Sequence, residues 1–589
     1  MSLISRFVGK MMDLPAPESR AIKVQRDLQV PMDDGVVLLA DRYIPASGHG
    51  PLVLVRSPYG RKNLFGTLFG TLFAERGLQA LVQSCRGTFG SEGELDAFAE
   101  REDGLATVAW MRKQDWYPGE FATAGPSYLG FAQWAIASEA GPELKAMAAL
   151  VTSSDPYMSL FEGGSFSLQT CLTWINIMAH QERRFALIRQ GRANRRLRPL
   201  YGDLPLGDLD TRATGRKVRD WQDWLACPSG DEPYWARRRF ADGRARVGAS
   251  VSLVGGWYDI FLPGQLRDYA ALRAAGHEPF LLIGPWQHTD ADGMGASVKE
   301  SVAWLRARML DDASETRTAP VRIYVGGLGE WRELPSWPPQ ARQERWHLRS
   351  GGELGPHAPV ATGPDSYTYD PADPTPSVGG PVLSASPRRS QIPPDNRELE
   401  ARPDVLTYTS VPLDRELEVI GQVSAELFVR SSLEHTDFFA RLCDVDPAGR
   451  STGVCDALRR LAPGSPAAGP DGTIRVRIDL WPTAHVFKAG HRVRLQVSSG
   501  AHPRYARNPG SGEPLGTATT LVSARQQVFH DPEHPSALIL PVTAPDAATA
   551  AGAETAPDAA TAAGAETTAV ATTAADTGTA AGAETAEAP

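Results

Sequence analysis

Three side chains set far apart in a 589-residue chain could together make an oxygen nucleophile. Ser127 lies in Gly125-Pro126-Ser127-Tyr128-Leu129-Gly130. Asp259 ends Gly255-Gly256-Trp257-Tyr258-Asp259, and His288 ends Gly284-Pro285-Trp286-Gln287-His288. A serine hydroxyl attacks a carbonyl only when an imidazole takes its proton. A carboxylate that accepts the other ring N–H fixes the tautomer and stabilises the imidazolium. The attacked carbonyl also needs donors for the negative charge that develops on its oxygen. The Tyr128 backbone N–H, next to the serine, is one candidate. The neutral phenol of Tyr59, in Arg56-Ser57-Pro58-Tyr59-Gly60, is another. Taken alone, a serine between glycines is an ordinary turn, so the signal rests on the order and placement of its partners.

Those partners need strands to carry them. Compact apolar runs occur at 51–55 (PLVLV), 78–82 (LQALV), 121–124 (FATA), 146–151 (AMAALV), 251–254 (VSLV) and 279–283 (PFLLI). Such runs suit a parallel sheet covered on both faces, and a helical period over Arg101–Lys113 supplies one cover. Strand alternating with helix predicts a doubly wound α/β sheet. Ser127 then falls where a strand ends and a helix over Leu129–Ser138 begins, the sharp turn that lifts a nucleophile clear of the sheet. Asp259 and His288 each follow a later strand, in the order acid then histidine, as an α/β-hydrolase requires.

The hundred residues between Val151 and Val251 are too long for a crossover loop. Leu168, Leu172, Ile175 and Met178 recur at helical spacing, and tryptophans follow at 221, 224 and 235, which predicts an inserted helical cap. Seven arginines between Arg183 and Arg198 read as a solvated helix face. After about residue 318 short β-rich segments alternate with Gly/Pro turns, as in a jelly roll. The expected division is therefore a core over 1–153 and 248–317, a cap over 154–247, a jelly-roll β-sandwich over 318–542 and a tail over 543–589. The tail repeats TAPDAATAAGAE at Thr543–Glu554 and Thr555–Glu566, and has too few large apolar residues to offset its ordering entropy.

Composition excludes several classes. The net charge of −9 comes mostly from seven acidic residues after Thr543; without them it is −2, which argues against nucleic acid or an anionic membrane as partner. No run of eighteen apolar residues occurs, and no secretory leader is evident in the first thirty. Five scattered cysteines without a C-x-x-C pair favour a reducing, cytoplasmic setting. There is no phosphate loop and no H-E-x-x-H helix. Asp290 and Asp292 lack the further ligands of a calcium loop, and His485 and His491 read as structural. No metal or organic cofactor is expected.

The chain resembles the X-Pro dipeptidyl-peptidase and cocaine esterase family of serine hydrolases, which includes α-amino acid ester hydrolases and cephalosporin acylases. The resemblance is carried by SPY at Ser57–Tyr59, RG…SEG at Arg86–Gly93, GPSYLG, GGWYD and GPWQH, and by Gly163-Gly164…Leu172-Thr173-Trp174. Further on it is carried by WRELPSWPP at Trp331–Pro339, PTAHVFKAGHRVRL at Pro482–Leu495 and SSGAHPRYARNPGSG at Ser498–Gly512. It implies an α/β-hydrolase core, an inserted cap and a C-terminal jelly roll, with Ser127, Asp259 and His288 catalytic and Tyr59 and Tyr128 forming the oxyanion hole. It also implies that Trp174 and Phe261 line the acyl pocket. Where many relatives carry an aspartate two residues before Arg86-Gly87, this chain has Ser84. The expected activity is carboxylester or acyl-amide hydrolysis through an acyl-enzyme on Ser127. The runner-up is an X-Pro dipeptidyl-peptidase, which needs a carboxylate such as Asp155 or Glu162 to hold a free α-amine. An acyltransferase and a non-catalytic binding protein are the remaining readings. A small ester, amide or short peptide is the expected partner, with a homo-oligomer left open.

Overall fold

The structure is a computed structural model that describes residues 2–183, 195–383, 394–464 and 466–543. Residues 184–194, with three of the seven arginines of the run, and nearly all of the repeat tail lie outside the described residues. Ten strands make the core sheet: β1 (Lys23–Pro31), β2 (Val37–Ile44), β3 (Leu52–Ser57), β4 (Gln79–Ser84), β5 (Phe121–Pro126), β6 (Leu144–Leu150), β7 (Ser250–Tyr258), β8 (Phe280–Gln287), β9 (Val321–Val325) and β10 (Glu330–Leu334). Their spatial order is β1-β2-β4-β3-β5-β6-β7-β8-β9-β10. From β4 to β9 every neighbouring pair is parallel. Antiparallel strands close both edges.

The apolar runs are continuous because both faces are buried. Leu52 and Leu54 of β3 pack on one side with α1 (Arg101–Met111), α2 (Tyr128–Ala137) and α4 (Leu262–Ala274). Val53 and Val55 pack on the other with Phe69 and Phe73 and with α5 (Ala291–Met309). Each fully buried side chain of this size contributes about 1.5–3 kcal/mol.

Between β6 and β7 the chain forms the cap, whose longest described helix is α3 (Leu168–His180). Leu168, Leu172, Ile175, Trp221, Trp224 and Trp235 are buried in one cluster with Tyr128 and Phe131 of α2. The cap is thereby fixed over the serine end of the sheet.

The strand at Val321–Val325 was expected to open the jelly roll. It instead extends the core sheet, pairing in parallel with β8, and β10 of the Trp331–Pro339 segment adds the edge. The cause is burial: α5 returns the chain beside β8, where Val321, Ile323 and Val325 are fully enclosed. The Gly326–Gly329 turn then stitches the core to the rest, since Gly326 N–H donates to the Ala484 carbonyl and the Gly326 carbonyl accepts from Val486 N–H, both at 2.9 Å. A separate thirteen-stranded sheet, antiparallel except for one short pairing, makes the β-rich C-terminal domain. No described helix is long and apolar enough to cross a membrane.

Candidate active site

Ser127 sits between β5 and α2 with φ 57° and ψ −125°, a left-handed conformation that is strained for a residue with a side chain. Its surroundings hold it there. Ser127 N–H donates to the Leu150 carbonyl at 2.9 Å, and its own carbonyl accepts from Thr152 Oγ1 at 2.9 Å. A Cβ on Gly130 would stand 2.4 Å from Thr152 Cγ2, so the second glycine of the motif exists to let α2 lie against this loop. The hydroxyl is thereby presented at the carboxyl end of the sheet.

Asp259 and His288 follow β7 and β8, neighbouring parallel strands. The backbones there are close: a Cβ on Gly256 would meet the Trp286 carbonyl at 2.2 Å. His288 Nε2 lies 3.0 Å from Ser127 Oγ, and its Nδ1 lies 2.7 Å from Asp259 Oδ2. Asp259 is 1% exposed, and its other oxygen accepts from Phe261 N–H at 2.8 Å. Both carboxylate oxygens are therefore occupied, which sets the orientation of the imidazole. Asp290, considered above as a calcium ligand, accepts from Gln287 N–H at 2.8 Å and braces the His288 loop.

Tyr59 follows β3. Trp174 Nε1 donates to its hydroxyl at 3.1 Å, and the phenol lies beside Ser127. Burial pushes the phenol pKa up to about 12, so the group is a neutral donor at pH 7. With a lone pair taken by the indole, its proton is available to an oxygen bound at Ser127. The second expected donor, the Tyr128 N–H, is in the first turn of α2, where a helix offers no acceptor for it.

The seven residues singled out by sequence converge here, and further ones join them. The Tyr128 hydroxyl donates to Glu100 Oε1 at 2.7 Å and accepts from Phe98 N–H at 2.9 Å. Glu100 is in turn paired with the buried guanidinium of Arg56 at 2.8 Å. Phe98 stacks on Tyr128 at 5.3 Å and on Trp174 at 6.1 Å, and Trp224 lies 5.7 Å from Trp174. Phe261 stands 5.3 Å from the His288 ring. An aromatic wall thus borders the serine. Phe98, Glu100 and Arg56 were not foreseen: an ion pair 44 positions apart has no local pattern, and Phe98 holds its place at φ 68° without a glycine to mark it.

The two cap carboxylates are already engaged. Asp155 pairs with Arg239 at 2.7 Å, and Glu162 with Arg504 at 3.1 Å. Ser84, at the position where relatives often carry an acid, accepts from Arg61 at 3.1 Å. His485 and His491 both bond Asp444, at 2.9 and 2.7 Å, within the C-terminal domain.

Residues 34–290 match the family described as X-Pro dipeptidyl-peptidase (S15 family), and residues 313–539 match the X-Pro dipeptidyl-peptidase C-terminal non-catalytic domain. The chain is 31% identical over 572 residues to the cocaine esterase of Rhodococcus sp. (strain MB1 Bresler), covering 88% of this chain and 98% of that protein. Two solved structures share its fold with a TM-score of 0.75 and 98% of their chains covered. One is an α-amino acid ester hydrolase, 24% identical, and the other an aminopeptidase from a marine sediment archaeon, Thaumarchaeota archaeon, 23% identical.

Proposed function

The chain belongs to the S15 family of X-Pro dipeptidyl-peptidases and related esterases, and as a serine hydrolase of that family we propose that it uses Ser127 as nucleophile, His288 as base and Asp259 as the residue that orients His288. The observation that carries this reading is the unbroken relay from Ser127 Oγ through His288 to Asp259, at 3.0 and 2.7 Å. His288 takes the Ser127 proton as Oγ bonds to the substrate carbonyl carbon. Tyr59 O–H and Tyr128 N–H hold the resulting oxyanion. Collapse expels an alcohol or amine protonated by His288, and water repeats the cycle on the acyl-enzyme. Trp174 and Phe261 border the acyl group, together with Phe98.

The substrate is an ester or acyl amide with a compact or aromatic acyl part. A dipeptidyl-peptidase must hold a free ammonium with an unspent carboxylate. Asp155 and Glu162 are each paired with an arginine, Glu100 is spent on Arg56 and Tyr128, and the internal segments 184–194 and 384–393 contain no Asp or Glu. The cytoplasmic setting and the division of the chain at 153, 247 and 542 belong to the same reading, with the core carried on through β10. All five cysteines are free thiols, as a reducing compartment leaves them.

Ser127→Ala should abolish covalent labelling by a fluorophosphonate probe. A mutant that still labels at the wild-type rate refutes the assignment. Turnover of p-nitrophenyl esters should exceed that of Ala-Pro-p-nitroanilide by about 5- to 150-fold or more, since leaving a buried polar or charged group unpaired costs about 1–3 kcal/mol or more.

A further inference from the structure

A cavity of about 270 Å³ lies between the cap and the C-terminal domain, and none of the seven residues described above lines it. Phe161, Leu168, Leu204 and Leu206 of the cap give it apolar walls, and Leu515 adds another from the C-terminal domain. The charged groups in the wall are not equally satisfied. Arg460 is held by both oxygens of Asp437, at 2.8 and 2.7 Å. The Glu513 carboxylate accepts from Ser511 and from Thr519 and Thr520. Arg507 donates only to neutral carbonyls, those of Pro371 at 2.9 Å and Gly202 at 3.0 Å. Asp203, the acid that acts on it from a distance, is itself paired with Arg212 at 2.8 Å. Among the described residues, Arg507 therefore has no carboxylate in ion-pair contact. Beside it is His502, whose Nδ1 is buried without a hydrogen-bond partner. Burial, reinforced by the Arg507 charge, holds that imidazole at about 4, so it is neutral at pH 7.

A cavity with apolar walls and a few convergent polar groups is the usual form of a small-ligand site. We propose that this one binds a small monoanionic carboxylate with an aromatic or branched aliphatic body, its head on Arg507 and His502 and its body along Phe161, Leu168 and Leu204. One uncompensated cation beside a neutral imidazole balances a single negative charge, which disfavours a phosphate dianion. The site is independent of which bond Ser127 attacks.

The probe is 4-fluorophenylacetate, followed by fluorine NMR at neutral pH on full-length enzyme whose Ser127 has been blocked with a phosphonate. Saturable binding is expected. Arg507→Met should weaken it by about tenfold or more, Arg507→Lys should keep it within about threefold, and the neutral 4-fluorophenylacetamide should bind about tenfold more weakly, the range of a hydrogen bond to a charged group. Ester turnover by Arg507→Met should stay within about twofold of wild type. Because Arg507 also ties Gly202 to Pro371, Leu515→Trp serves as a second variant that fills the cavity and should likewise remove binding. Lack of saturable binding to the blocked wild type overturns the proposal, as does binding that survives both substitutions or an amide that binds equally well. If Ser127 resists blocking, the proposed nucleophile fails, and the comparison of unblocked wild type with Arg507→Met still reads this site.

Discussion

Replacing Tyr59 by phenylalanine isolates one hydroxyl of the proposed oxyanion site. The ring would keep its stacking on Phe65 at 5.6 Å, so the loss is one O–H donor. Three features make that donor effective. Its pKa of about 12 keeps it protonated, the Trp174 indole fixes its lone pair at 3.1 Å, and it lies beside Ser127, so no reorganisation is needed during attack. Loss of one such donor costs about 2.7–4 kcal/mol, or 10²–10³ in turnover. Tyr59→Phe should therefore lower the acylation rate on p-nitrophenyl butyrate by that factor, with KM changed by less than about threefold, because the ground-state carbonyl gains little from the bond. Trp174→Phe keeps a ring, removes the N–H and trims the surface stacked on Phe98, Tyr128 and Trp224. A neutral hydrogen bond is worth about 0.5–1.5 kcal/mol, so a loss of about 2- to 12-fold is expected. Trp174 N–H acts through the Tyr59 oxygen, so the double mutant should be no worse than Tyr59→Phe within about twofold. Stopped-flow measurement of the acylation burst gives each rate directly. A Tyr59→Phe enzyme that keeps more than a third of wild-type kcat/KM, or a Trp174 effect that persists in full without the Tyr59 hydroxyl, refutes the reasoning.

Three further changes probe the supports of the site. Asp259→Asn should lower kcat by about 10⁴ with unchanged thermal stability, since the tautomer is lost and the packing is kept; circular dichroism melting and ester turnover read the two parts. Glu100→Gln leaves the Arg56 charge buried and unpaired, so urea unfolding should show a loss of about 3–5 kcal/mol. Asp268, buried and bonded to Ser154 and Arg244, has its pKa raised by burial from 3.8 to about 6. The folded state thus holds this proton more tightly than the unfolded chain, and the contribution of Asp268 to stability falls as pH rises from about 4 to 6. Asp268→Asn cannot titrate, so its stability relative to wild type should rise by about 3 kcal/mol across that window in urea titrations; a flat difference refutes the shift.

The loops that carry Ser127 and Asp259 were legible because steric demands write themselves into the sequence as glycine. Gly130 and Gly256 stand where a Cβ would press on Thr152 or on the Trp286 carbonyl, and each lies within three residues of Ser127 or Asp259. The core strands were legible for a related reason: burial on both faces makes residues 52–55 of β3 and 146–150 of β6 unbroken apolar runs. The boundary at 317/318 was not. Residues 321–325 alternate between buried and partly exposed, a pattern shared by the edge region of a core sheet and by a sandwich strand. Only the return of α5 beside β8 distinguishes the two, and no local spacing records it.

Charge pairing was the least legible feature, and it decides what the site can hold. In sequence, Glu162 and Asp155 are two unassigned carboxylates in a cap, either of which could meet a substrate amine. In the structure, Glu162 meets Arg504, which also holds Asp456, and Asp456 meets Arg441. Four charges from the cap and the C-terminal domain thus balance one another, over sequence distances that no motif spans. Withdrawing Glu162 from such a set to bind an ammonium would leave two arginines sharing the single carboxylate of Asp456, a buried excess of positive charge that disfavours the exchange. Among the described residues, aromatic rings, by contrast, border Ser127 on the cap side. In the proposed mechanism acyl specificity therefore rests on shape and apolar contact. That lets a cap of this composition accept an uncharged acyl group, while an N-terminal ammonium would have to enter without a partner.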